Sequence, residues 1–595
     1  MGEIRQCLYL FKKMVLTMGR GLQTELMNIN KWATLRNYSQ IIKKWVPIFV
    51  LALVIFGIYA NSFNNDFIWD DINYIENNKS YEKIQNIKKV FSNDYFSMSG
   101  ELSYRPVATI SYFLNYNLWG KNIIGWRISN VFLHFLNVFL IYLLVDLVFK
   151  SKYLSMGSSL LFATHPVATE SILGISFNEE LLFSFFALLS ILFYIKKHLT
   201  NGNKRFYFPI YLFYVLALFS KETAIVLPAL FLIYDFSFRR RKKVNIFFYF
   251  NVFLISIFYL WIRFSLMPGR NLNVSYIGGN IMSNTLTMIK VFVSYLRLLI
   301  CPINLRPIYY FSILNSLDLK VILSFSVVLL IVVLLIFAFK FNKEIFFFSS
   351  WLLLPLMPVM NLIPFLKYNY LAERYLYFSI APAMVLIVLI TMKIFPVNKS
   401  PIIKILKNGI LATIISIFCI IVIKRNTEWS NDLLFWKKAV EREPGHFFTH
   451  ISLGTKYNRE GLIEKAIEQY KIATEINPIF GPAYITLADM YFKEGEMEKA
   501  YKSYIKGLNI DFKNAHGHFN LGFLYYELGK YESAIQQFQR VINLNKNNDM
   551  AYYCLSEIYA EQKRYDEAMN ILKNGLTTNP NSSKIRKQME KYISK

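Results

Sequence analysis

From residue 45 the chain falls into long blocks that are apolar on every helical face, beginning with WVPIFVLALVIFGIYA. Such blocks suit helices surrounded by lipid, because a helix with one wet side keeps a polar stripe. Further runs lie near 126–149, 155–175, 179–195, 206–220, 222–238, 244–264, 319–340, 345–365, 375–395 and 405–423. Most approach the length needed to cross a hydrocarbon core of about 30 Å. With the first run they make eleven expected spans. A further run, LTMIKVFVSYLRLLICPI at 286–303, is read as a re-entrant or interfacial helix with Lys290 and Arg297 on its polar edge.

Beyond residue 444 the pattern becomes a 34-residue repeat. Leu453, Leu487, Leu521 and Leu555 recur at that step, as do Tyr457, Tyr491, Tyr525 and Tyr559, and Ala466, Ala500, Ala534 and Ala568. Gly461, Gly495 and Gly529 keep it too, with Lys563 in the fourth place. This is the tetratricopeptide period, in which small residues let paired helices pack closely and aromatics fill the seam. Four repeats are expected over 445–580, closed by a charged tail at 581–595. The segment 425–444, ending in EWSNDLLFWKKAVEREP, reads as a linker and half-repeat.

Charge orients the spans. The segment 1–44 carries Arg5, Lys12, Lys13, Arg20, Lys31, Arg36, Lys43 and Lys44 against Glu3 and Glu25. No small-x-small site follows the first apolar run, so an uncleaved span with a cytoplasmic N-terminus is expected. Met14, Met18 and Met27 leave the start open. Basic clusters recur at every second loop: Lys150 and Lys152; Lys196, Lys197, Lys204 and Arg205; RRRKK at 239–243; Lys340 and Lys343; Lys393, Lys399, Lys404 and Lys407. Eleven spans then put the repeats outside the cytoplasm. The abundance of Lys, Ile, Asn and Phe fits an AT-rich bacterial genome, hence an expected multi-pass inner membrane location.

Composition agrees, with 54% hydrophobic residues and 17% aromatic. The net charge of +27 is assigned to the positive-inside pattern rather than to nucleic acid. Cys7, Cys301, Cys419 and Cys554 lie far apart without metal-ligand spacing, so neither a disulfide framework nor a metal site is expected.

Candidate chemistry gathers on the side away from the basic loops. The first outer loop, 61–125, holds NNDFIWDDIN, with Asp70 and Asp71 directly after Trp69. An arbitrary Asp pair is a solvated helix start. Beside a bilayer and an amphipathic stretch, YRPVATISYFLNYNLWG, it sits in low dielectric, where a raised pKa suits a general base. On the same side fall Arg105, His165 and Glu170 of HPVATE, Glu179 of NEE, Lys221 and Glu222 of SKE, and Glu373, Arg374 and Tyr375 of AERYLY. Singly these are helix caps, snorkelling cations or intramembrane ion pairs. Together they describe a pocket with acids to remove a proton and cations to hold a phosphate.

FIWDDINYIENN, YRPVATISYFLNY, GWRISNVFLHFLNVFLIYLL, LFATHPVATESI, FSKETAIVLPAL, LAERYLY and the closing array, in this order, resemble the transmembrane and tetratricopeptide-repeat O-mannosyltransferases and their bacterial relatives, over about 45–580. The resemblance implies an all-α chain: a C-type glycosyltransferase membrane domain over 45–424, then the α-solenoid. It implies transfer of a sugar, with mannose expected, from a polyprenyl phosphate to Ser or Thr of extracytoplasmic protein, and assigns Asp70 and Asp71 as the catalytic motif. The expected mechanism is an inverting displacement with Asp70, by preference, as base. Arg105, Lys221 and Arg374 receive the lipid phosphate, and His165, Glu170, Glu179, Glu222, Glu373 and Tyr375 support the pocket. No cofactor is expected beyond the lipid-linked co-substrate, and the array would offer a groove to an acceptor or partner protein. Two other readings stay open: a non-catalytic scaffold for envelope assembly, and a same-fold transferase acting on a lipid or polysaccharide.

Overall fold

The computed structural model describes residues 45–101, 103–200, 202–238, 245–266, 276–314, 316–361, 371–396 and 401–593. The basic segment 1–44 with Cys7 and the three start methionines, the RRRKK cluster and Lys399 lie outside the described residues.

Among the described residues every regular element is helical. In the membrane part these are α1 (Trp45–Ser62), α2 (Pro106–Trp119), α3 (Ile123–Phe149), α4 (Lys152–Thr164), α5 (Asn178–Leu199), α6 (Tyr207–Ser220), α7 (Leu227–Phe238), α8 (Ile246–Leu266), α9 (Ile281–Ile300), α10 (Leu319–Phe341), α11 (Lys343–Leu353), α12 (Tyr377–Ile394) and α13 (Pro401–Glu428). Among them, seven are long and apolar enough to cross a bilayer: α1, α3, α5, α8, α10, α12 and α13, with α5 and α12 extended by their 3₁₀ lead-ins.

The remaining four expected spans contain shorter helices, α4, α6, α7 and α11, of 13, 14, 12 and 11 residues. At 1.5 Å per residue each covers roughly 17–21 Å, less than a hydrocarbon core. Their breaks have local causes. Pro166 drives His165 into an extended conformation and ends α4. Lys221 is extended between α6 and the 3₁₀ turn Glu222–Val226, and Pro355 follows α11 at once. Irregular backbone at such depth is tolerated where protein covers it. Residues 163–181 are almost wholly buried. The irregular segments meet at one end of the bundle, and this is the end that carries the acids.

Helix α9 begins and ends at that same end. Asn284 Nδ2 donates to the carbonyl of Asn361 beyond α11, and the Leu314 amide, leading into α10, donates to Thr287. Further along, Tyr295 Oη accepts from the Ala372 amide, and the Leu299 carbonyl meets His165. Its 20 residues thus lie along the face of the bundle.

The C-terminal part starts with α14 (Asp432–Arg442), followed by the pairs α15 (Phe447–Arg459) and α16 (Ile463–Ile476), α17 (Gly481–Lys493) and α18 (Met497–Ile510), α19 (Ala515–Glu527) and α20 (Tyr531–Leu544), α21 (Asp549–Glu561) and α22 (Tyr565–Thr578). Ala466, Ala500, Ala534 and Ala568 are fully buried at the crossings. A Cβ on Gly454 or Gly522 would come within 3.2 Å of the Tyr470 or Phe538 ring, so small residues set the closeness of each pair. The tail forms α23 (Ser583–Ile593), whose Ile585 and Tyr592 close the last core while its charged side faces water.

Between paired helices the chain must turn through a left-handed residue. Gly461, Gly495 and Gly529 have φ of 76°, 79° and 70°, and Lys563 takes the same place at 61°. A side chain there costs about 1 kcal/mol. Lys563→Gly is therefore expected to slow hydrogen exchange across α21 and α22 by a factor matching about 1 kcal/mol, and Gly529→Lys to accelerate it one repeat earlier.

Candidate active site

After α1 the chain runs back along the end of α13. Asn61 Nδ2 donates to the Ile423 carbonyl, Asn65 Nδ2 to that of Asn426, and the Asp66 amide to that of Ser430. Asn426 returns a bond to the Ile58 carbonyl. This fixes the path of residues 58–69 before the acid pair begins.

The two aspartates then part. Asp71 is buried, and both its oxygens are occupied: Oδ1 accepts from the Ser176 amide at 2.7 Å and Oδ2 from that of Ile175 at 3.2 Å. Burial pushes its carboxyl up, against nearby Arg127 and the two amide donors. Arg127, itself buried, donates to the Asp66 carbonyl. Asp71 thus locks the first loop onto the turn between α4 and α5. Asp70 is half-buried, and among the described residues none donates a hydrogen bond to its carboxylate. Burial raises it to about 6; Arg374 opposes the rise, while Asp71, Glu179 and Glu170 add to it.

Arg374 is the cation that acts on this carboxylate, and Arg374, Lys221 and Arg105 are each matched by acids. Arg374 donates through its amide (2.9 Å) and its guanidinium to Glu170, and the guanidinium lies 4.2 Å from the Phe177 ring, 5.3 Å from Tyr375 and 5.7 Å from Trp69. Lys221 pairs with Glu180 and sits 4.7 Å from the centroid of the Tyr375 ring, which Arg374 also approaches. Arg105 binds Glu179 at 3.0 Å and grips Glu222 with Nε and Nη2 at 3.3 and 3.2 Å. Arg263, at the end of α8, reaches Glu222 at 3.2 Å. Side-chain exposure falls from 32% at Glu222 and 21% at Arg105 to 3% at Lys221, so the Arg105 cluster lies nearer solvent and Lys221 deeper.

Two of the expected pocket residues face elsewhere. His165 is fully buried, its Nε2 against the Leu299 carbonyl and its Nδ1 accepting from the Val167 amide, which ties α4 to α9. Glu373 accepts from the Arg306 amide and Tyr309 hydroxyl, both at 2.7 Å, and from Arg425 at 2.5 Å. Both hold elements together, His165 joining α4 to α9 and Glu373 joining residues 306–309 to α13.

Sequence reasoning missed Arg263, Arg127, Arg306 and Arg425, and gave Glu101 no role. Arg263 was within reach, since span parity puts the end of α8 on the acid side. Glu101 accepts from Tyr95 (2.7 Å) and Thr109 (3.3 Å), and burial pushes it up to about 7.

This geometry defines a membrane-embedded helical protein with a cluster of ion pairs at one end of its bundle and a repeat array rooted beside it. Residues 488–529 and 524–563 match the family described as TPR repeat, and 551–582 match Tetratricopeptide repeat, so the array is made of such repeats. The curated proteins it resembles are named protein O-mannosyl-transferases. F38B6.6 of Caenorhabditis elegans is 24% identical over 448 residues, 71% of this chain and 61% of that protein. TMTC3 of Mus musculus is 35% identical over 152 residues, 25% of this chain and 16% of its own length, and TMTC1 of Mus musculus 32% over 194 residues, 30% and 20%. The chain thus spans about three fifths of the first relative and a fifth or less of the others. Among solved structures, that of MamA covers 26% of this chain and 91% of its own at 23% identity, with a TM-score of 0.24.

The different settings of the aspartates separate their variants. Asp71→Ala, which strands two buried amides, is expected to destabilise the detergent-solubilised protein by roughly 2–4 kcal/mol, read by thermal unfolding. Asp70→Ala should leave the unfolding midpoint within about 1 °C, since among the described residues no hydrogen-bond donor to its carboxylate is lost and a half-buried acid held against its own desolvation adds little stability.

Proposed function

We propose that this protein is a glycosyltransferase that moves mannose from a polyprenyl-phosphate donor to a Ser or Thr hydroxyl of extracytoplasmic protein. The observation that carries the reading is Asp70: a half-buried carboxylate with no hydrogen-bond donor among the described residues, raised to about 6, beside Arg374. The names of the relatives support the sugar and the acceptor class.

In the reaction Asp70 takes the proton of the acceptor hydroxyl as that oxygen forms a bond to the anomeric carbon. The bond from that carbon to the phosphate oxygen breaks with inversion, and the electron pair leaves on the lipid phosphate. Arg374, Arg105 and Lys221 neutralise it, exchanging part of their hold on Glu170, Glu179, Glu222 and Glu180 for the new anion. A monophosphate leaves with less charge than a nucleotide diphosphate, so side-chain cations suffice for this step. The positive-inside pattern puts the pocket and array outside the cytoplasm, where an extended acceptor segment lies in the array groove.

Purified full-length protein with polyprenyl-phosphate mannose and a panel of Ser/Thr peptides tests this. Asp70→Asn should lower kcat by about 10²–10⁴-fold; unchanged transfer sinks the base assignment. Absence of transfer from any lipid-phosphate sugar by the wild type favours the scaffold. Because the base works ionised and ionises above its pKa, kcat/KM should fall as pH drops through about 6. Arg374→Met, removing the cation that opposes the rise, should move that limb to higher pH.

A further inference from the structure

Trp69, the residue before the proposed base, has φ of 53°. A left-handed backbone at a bulky aromatic is held against a cost of about 1–2 kcal/mol, so its surroundings must impose it. They come from α14, the first helix past the membrane domain. Asp432, at its first turn, is largely buried, and its Oδ1 accepts from the Trp69 amide and the Trp436 indole, both at 3.1 Å. The Trp69 ring is boxed by Phe435 (5.7 Å) and Trp436 (5.8 Å) of the same helix and by Phe177 (5.4 Å) of the pocket. The amide bond fixes the backbone and the ring box fixes the side chain, both immediately before Asp70.

Asp432 needs no such partners for its own helix. Asn431 caps α14 by accepting from the Leu434 amide, and an acid in the first turn is already favoured by the helix dipole. We propose that Asp432 is a positioning residue: it holds Trp69 in the left-handed conformation that aims the Asp70 carboxylate into the pocket, and so makes the root of the repeat array part of the catalytic apparatus. An acceptor held by the array is thereby presented to a base whose orientation the array itself sets. The kinetic consequence rests on the transferase reading above; the geometric one does not.

Two measurements on the full chain separate these. In a background with its four cysteines replaced, Asp70→Cys reports the orientation of position 70 by its rate of modification with a charged methanethiosulfonate. Adding Asp432→Ala should raise that rate tenfold or more, while Asp432→Asn, which keeps an acceptor oxygen, should leave it within twofold. An unchanged rate in Asp432→Ala overturns the proposal whether or not the protein transfers mannose. In the transfer assay, with Asp70 present, Asp432→Ala should lower kcat at least tenfold with KM for donor and peptide little changed, and Asp432→Asn should restore it. Equal loss in both variants, or a loss confined to thermal stability, also overturns it. A wild type that transfers nothing, with the labelling difference intact, removes the transferase reading and leaves the positioning role.

Discussion

Charge buried at the end of an apolar bundle must be matched, and this constraint shapes the whole acid face. An ion removed from water costs several kcal/mol unless a partner and further hydrogen bonds offset it. Arg374 with Glu170, Lys221 with Glu180, Arg425 with Glu373 and Arg105 with Glu179 and Glu222 are such pairs, and each joins segments far apart in the chain. The pairs hold together the places where helices break.

The same pairing prepares the site. In the proposed reaction, cations already ordered by carboxylates and aromatic rings would lose little freedom on meeting a phosphate, exchanging one anion for another. Arg374 is the most constrained, with Glu170 on its fork and Phe177, Tyr375 and Trp69 around it. Asp70 stands near it, and among the described residues none donates a hydrogen bond to its carboxylate. Asp71, Glu170, Glu179, Glu180 and Glu222 are engaged around it, and that asymmetry is why the proposed reaction takes Asp70 as its base.

Repeat array and membrane bundle also meet as a continuous structure. Asparagines 61, 65 and 426 tie the exit of α1 to the end of α13, Asp432 and the aromatics of α14 take hold of Trp69, and Arg306 pairs with Glu443 beyond α14. The array therefore starts beside the acid pair, and its first helix packs on Trp69, the residue before Asp70.

Periodicity alone determined the helices and the repeats, since a 34-residue step and all-round apolar runs report local backbone geometry. It also showed which loops carry acid and which carry base, because membrane crossing forces alternation. Lys563 could be identified as the odd turn residue from its register. The sequence could not show that α4, α6, α7 and α11 stop short, because hydropathy continues through a break whose polar groups find partners elsewhere in the chain. Nor could it divide the adjacent aspartates. Asp71 and Asp70 differ by one residue in sequence and by everything in setting, one filled by the amides of Ile175 and Ser176, the other half-buried near Arg374 and directly after the left-handed Trp69. Those partners lie about a hundred residues or more away, and only the fold brings them together.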